Sequence, residues 1–120
     1  MEKVTGIGGF FFRSENPEAL RTWYHDHLGV DMAPQFSGGA PWKQDEGFTV
    51  FDPFSKADTM IPPGKTWMIN FRVADLAKMI EQLRGAGIAV ADLEDYPHGK
   101  FTTLEDPEGN GIQLWQPPIQ

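Results

Sequence analysis

A chain of 120 residues, 40% hydrophobic and 22% charged, makes one ordinary globular domain and is too short for two independent cores. Its formal net charge of -7 argues against nucleic acid or an anionic membrane as partner, because both require a basic patch. With no cysteine there can be no disulfide, thiolate metal site or cysteine nucleophile. No apolar run approaches the roughly 20 residues that span a bilayer, and MEKVTGIGGFFF has no signal-peptide pattern, so a cytoplasmic protein is expected.

In chain order, Gly6 to Arg13 reads as a short aromatic strand. Asn16 is a helix N-cap, with Pro17 at the first helical position and Glu18 near the positive end of the dipole. Leu20, Trp23, Tyr24, His27 and Leu28 then follow helical spacing until Gly29 stops the helix. Strand candidates follow at Val30 to Ala33, around Phe36 to Trp42, and at Phe48 to Phe51, interrupted by Gly38-Gly39 and Pro41. Pro53 to Lys65, containing Pro62-Pro63-Gly64, reads as a connection.

The pattern then begins again. Trp67 to Val73 is strand-like, Asp75 caps a helix, and Leu76, Met79, Ile80 and Leu83 form its apolar stripe. Lys78, Glu81, Gln82 and Arg84 cover its wet side before Gly87 stops it. Three strand candidates follow at Ile88 to Asp92, Lys100 to Leu104 and Gly111 to Trp115. The turn Asp106-Pro107-Glu108-Gly109-Asn110 separates the last two. Phe12-Arg13 matches Phe71-Arg72, Asn16 matches Asp75, and Gly29 matches Gly87, an internal repeat of about 59 residues. The expected organisation is α+β: a single domain over 1–120 of two βαβββ modules, one over about 1–55 and one over about 66–118. A linker of about 56–65 joins them. Modules of this size must pack their sheets against another module to close a core.

These residues resemble the vicinal oxygen chelate superfamily of glyoxalases, bleomycin-resistance proteins and ring-cleaving dioxygenases. Asn16-Pro17-Glu18-Ala19-Leu20 with Trp23-Tyr24 and Leu28-Gly29 is similar to its first-helix signature. Phe71-Arg72-Val73-Ala74-Asp75-Leu76 resembles the second-module counterpart, and Asp106 to Asn110 followed by Ile112-Gln113-Leu114-Trp115 resembles the closing hairpin. The resemblance implies a half-open barrel whose concave face holds the site. In metal-using members four ligands, usually His, Gln or Glu, lie on the first and last strands of the two modules.

Here those four positions map to Gly9, Thr49, Met68 and Gln113. Glycine has no donor, methionine offers a soft thioether, threonine is neutral, and one amide carbonyl is a weak ligand for a hard cation. A metal-free site with no cofactor is therefore expected. A divalent metal remains the alternative if this register is displaced, since a one-residue slip exchanges the two faces of a strand. With these positions inside, alternation brings Phe11, Arg13, Phe51, Asn70, Arg72 and Trp115 into the cleft and leaves Phe101, Trp42 and Trp67 at its rim. Such a lining suits an aromatic or partly apolar small molecule. His98 in Tyr96-Pro97-His98-Gly99 is the one histidine placed to act as acid or base, although a surface-loop role competes. His25 and His27 read as helix-end cations, and Asp52 and Glu105 as turn or surface carboxylates. The leading expectation is a small-molecule binder acting as a homodimer. The alternative is a metal-dependent lyase, isomerase or dioxygenase of the same superfamily, and whether the chain is an enzyme stays open. A ligandless interaction domain is the third reading.

Overall fold

A computed structural model describes residues 1–31 and 41–119. Helix α1 covers Pro17–Leu28. The Asn16 side chain accepts from the Ala19 amide at 3.2 Å, and Gly29 ends the helix at φ 72°, where its amide returns to the His25 carbonyl. Strand β1 (Met68–Arg72) leads to helix α2 (Leu76–Gly85), whose N-cap Asp75 accepts from the Lys78 amide at 3.1 Å. The helix ends at Gly85 with Ala86 as its C-cap, and Gly87 just beyond it takes φ 83° and donates to the Arg84 carbonyl, the stop expected of that glycine. Strands β2 (Glu94–Tyr96), β3 (Gly99–Glu105) and β4 (Gly111–Gln116) complete the fold.

The four strands form one open sheet in the order β1-β4-β3-β2. β1 runs parallel to β4, while β4, β3 and β2 are successive antiparallel neighbours. Both helices cover the same face. Leu20 and Tyr24 from α1 join Leu76, Ile80 and Leu83 from α2 against Leu104, Ile112 and Leu114 of the sheet. Leu76, Leu83, Ile112 and Leu114 are fully buried, and each such side chain contributes about 1.5–3 kcal/mol on leaving water.

The joint between α1 and the β3–β4 turn is polar and dense. Asp106 accepts from the Tyr24 hydroxyl (2.6 Å), Asn110 Nδ2 (2.7 Å) and the amides of Glu108 (2.8 Å) and Asn110 (3.0 Å). Both Asp106 and Asn110 are buried, so this satisfaction matters. Glu108 meets the open amides at the start of α1: its carboxylate accepts from the Ser14 hydroxyl at 2.7 Å and from the Glu15 and Asn16 amides. These hydrogen bonds hold the Glu108 carboxyl below the usual carboxylate range.

Two sequence expectations change. Ile88 to Asp92 is not a ladder strand; the first strand after α2 is Glu94–Tyr96. Ile88 and Val90 still pack on the core, but the Ile88 amide closes the α2 terminus on the Leu83 carbonyl and Arg84 takes the Val90 carbonyl. Ala91 alone meets β3, its amide donating to the Thr103 carbonyl and its carbonyl accepting from the Thr102 hydroxyl, and no ladder forms. In the first module, 6–13 and 48–51 are exposed and belong to no ladder among the described residues. A strand is defined by its backbone partner, and no described strand lies alongside them. The candidates over 30–33 and 36–42 fall largely outside the described residues.

Candidate functional site

Register fixes which side chains share the face turned away from the helices. Asn70 pairs with Gln113 and Arg72 with Trp115 across β1 and β4; Gln113 and Trp115 oppose Thr103 and Phe101 across β4 and β3. Alternation then sets Met68, Asn70, Arg72, Phe101, Gln113 and Trp115 on one face, opposite the buried Thr102, Leu104, Ile112 and Leu114. Six of the sequence-derived positions are thus brought together.

Within this face Asn70 Nδ2 donates to Gln113 Oε1 at 2.8 Å. Phe101 and Trp115 stack with centroids 6.2 Å apart and planes 9° from parallel. Trp115 Nε1 donates to the His98 carbonyl at 3.1 Å, which fixes the indole against the β2–β3 turn. His98 stacks on Tyr96 and touches Phe101, so its exposed imidazole borders the same aromatic surface. The Tyr96 hydroxyl donates to the Glu94 carboxylate at 2.5 Å, and that bond pushes its phenol above the ordinary tyrosine range. Sequence reasoning did not reveal the indole bond or the Asn70–Gln113 pairing. The second was in reach, since both amides sit on the inward side of adjacent strands.

The remaining candidates lie elsewhere. Phe11 and Phe51 are 93% and 87% exposed, and Gly9 and Thr49 are exposed with them. A Cβ on Gly9 would first meet the ring of Phe11. Arg13 lines a shallow groove of about 570 Å³ with Ser14, Lys65 and the Pro107 to Gly109 turn. The carboxylate in that groove, Glu108, is already engaged in capping α1, so we do not take the groove as the site. Trp42 meets Phe71, a residue of the helix side, at 6.1 Å, and Trp67 packs on Phe10 and Phe12. Arg72, although it shares the face of Asn70 and Trp115, spends its guanidinium on the main chain, donating to the carbonyls of Phe48 (2.6 Å) and Asp45 (2.8 Å). His25 lies 3.2 Å from the Asp26 carboxylate at the helix end, and the His27 ring meets Trp23 at a tilt, with centroids 5.5 Å apart. Among the described residues no group of three or more His, Asp or Glu side chains stands close enough together to hold a metal ion. Nor is any described helix long and apolar enough to cross a membrane.

An open α+β sheet with two helices on one face and a polar-aromatic surface on the other defines a class, and comparison with known proteins identifies it. Residues 9–115 match the glyoxalase-like domain family, and the chain belongs to that family, within the vicinal oxygen chelate superfamily. Its fold is the glyoxalase/bleomycin-resistance fold, a half-open barrel in which the sheet does not close. Among solved structures, it is similar to TnmS3, an antibiotic binding protein from Streptomyces sp. CB03234, at 25% identity and a TM-score of 0.69. That match covers 98% of this chain and 100% of the other. A lactoylglutathione lyase from Agrobacterium tumefaciens is 18% identical over 96% of each chain, with a TM-score of 0.60. A bleomycin resistance determinant encoded on transposon Tn5 is 20% identical, covering 88% of this chain and 92% of its own, with a TM-score of 0.53. The last two likenesses are of fold alone. No curated protein matches the sequence.

Proposed function

We propose that this protein binds a flat, partly apolar small molecule on the sheet face opposite its helices, as a homodimer and without a resident divalent cation. The carrying observation is the stacked Phe101–Trp115 pair beside the Asn70–Gln113 amides: a rigid aromatic surface with a few fixed polar atoms, which is how ligand sites combine affinity with orientation. The antibiotic-binding function of TnmS3 supports the same reading by analogy.

The four family ligand positions fit a metal poorly. Gly9 has no donor, Thr49 is neutral, Met68 offers sulfur, and the Gln113 carbonyl oxygen already accepts from Asn70. His98 is kept as a rim contact and not as an acid or base. The dimer is supported by exposed aromatic surface: Phe11, Phe48 and Phe51 are 93%, 76% and 87% exposed. A second copy would cover the exposed Phe11, Phe48 and Phe51 and complete the cleft. We read the acidic, cysteine-free chain as cytoplasmic, which cell fractionation checks.

Three measurements test the proposal. Light scattering should return twice the 13.5 kDa chain mass. Tryptophan fluorescence should be quenched saturably by planar probes such as 9-aminoacridine or riboflavin. Protein grown with added iron, manganese, nickel and zinc should retain no stoichiometric metal after dialysis. One retained equivalent per chain overturns the metal-free reading in favour of a metal-dependent lyase, isomerase or dioxygenase.

A further inference from the structure

Gly99 follows the turn residues Pro97 and His98 and enters β3 at φ 132°, a conformation L side chains rarely adopt. A second constraint is spatial. A Cβ on Gly99 would overlap Trp115 Nε1 and come within 2.9 Å of Trp115 Cδ1 and 2.7 Å of the Gln116 carbonyl oxygen. The pyrrole edge of the indole therefore rests directly on the Gly99 backbone. From that seat Nε1 reaches the His98 carbonyl at 3.1 Å while the ring stays 9° from parallel with Phe101. Phe101 continues the contact to His98 at 5.2 Å and to Tyr96 at 6.1 Å.

We propose that Gly99 is a specificity-determining positioning residue: its missing Cβ seats Trp115 flat on the β2–β3 turn, and the seated indole makes the open face selective for flat aromatic ligands. The proposal rests on the ligand-face reading above and adds the residue that sets its geometry. Any side chain at 99 forces the indole to rotate away from the turn. Rotation breaks the bond to His98 and carries the ring out of its stack with Phe101. A ring already fixed loses little further freedom when a ligand stacks on it, whereas a released ring must be ordered by the ligand.

Indole exchange and probe binding test this together. The four tryptophans give four indole N–H signals in a ¹⁵N-labelled sample, and Trp115→Phe assigns one by its disappearance. The Trp115 N–H is expected to exchange with solvent about tenfold or more slowly than that of partly exposed Trp42, as a bonded donor should. Gly99→Ala is expected to erase that protection and to weaken 9-aminoacridine and riboflavin binding about tenfold. Trp115→Phe keeps a ring but no donor, and should weaken binding about fivefold. That variant keeps the proposal testable if Gly99→Ala does not fold. A Trp115 N–H that exchanges as fast as that of Trp42, or folded variants that bind within about twofold of wild type, overturns the proposal. If neither probe binds the wild type, the ligand-face reading fails and takes the selectivity with it. The exchange data then still decide whether Gly99 seats the indole.

Discussion

Replacing Tyr24 by phenylalanine removes one oxygen from the centre of the joint between α1 and the β3–β4 turn. That hydroxyl donates to Asp106 Oδ2 at 2.6 Å inside a buried site, leaving Asn110 Nδ2 as the other donor on the same oxygen. A hydrogen bond to a charged group contributes about 1.5–3 kcal/mol net, and the ring is retained, so no large cavity offsets the count. We expect Tyr24→Phe to lose about 2 kcal/mol, read from urea unfolding at fixed protein concentration. The loss also has a pH signature. Burial, then the Asp106 bond, pushes the Tyr24 phenol far above its ordinary value of 10.0. Above pH 10 the unfolded chain ionises this tyrosine while the folded chain holds its proton, so wild-type stability must fall with rising pH. The slope from this group approaches about 1.4 kcal/mol per pH unit, and the phenylalanine substitution should remove it. A loss below about 0.5 kcal/mol, or an alkaline limb unchanged by the substitution, refutes the reasoning.

Glu108→Gln should blunt the acid limb of stability. The carboxyl is held low chiefly by the Ser14 hydroxyl and the Glu15 amide, so its contribution is present above its unfolded value near pH 4.3. That contribution is lost as pH falls through the lower folded value, which acid titration monitored by circular dichroism reads. Arg72→Ala frees the carbonyls of Asp45 and Phe48 and should speed limited proteolysis between about residues 43 and 51, with the second-module core intact. Ile112→Ala empties a fully buried position on β4 and should cost about 2–5 kcal/mol in the same urea assay.

What the sequence made legible was local. Asn16 and Asp75 cap helices because a short polar side chain reaches an amide three residues on, and both bonds form. Alternation along Met68 to Arg72 and Gly111 to Gln116 assigned the two sheet faces, since a pleat leaves no third choice. What stayed hidden was set by tertiary contact. Nothing near Glu108 in the chain signals that it will cap a helix 92 to 94 residues away. The Gly99–Trp115 contact joins a turn glycine to a tryptophan on a different strand. Residues 6–13 have the composition of a strand, but composition cannot supply the partner a strand requires.

The distance between α1 and the turn that caps it also shapes how the chain is made. At about 5–20 residues per second a ribosome needs several seconds to synthesise the segment between Ser14 and Glu108. Throughout that interval the first amides of α1 lack their carboxylate and Tyr24 lacks its acceptor. Helix docking and closure of the last hairpin must therefore be one late event. Until it occurs, the apolar faces of α1 and of the early strand Met68–Arg72 have no completed sheet to cover them, which makes them the part of the nascent chain most in need of protection from other chains.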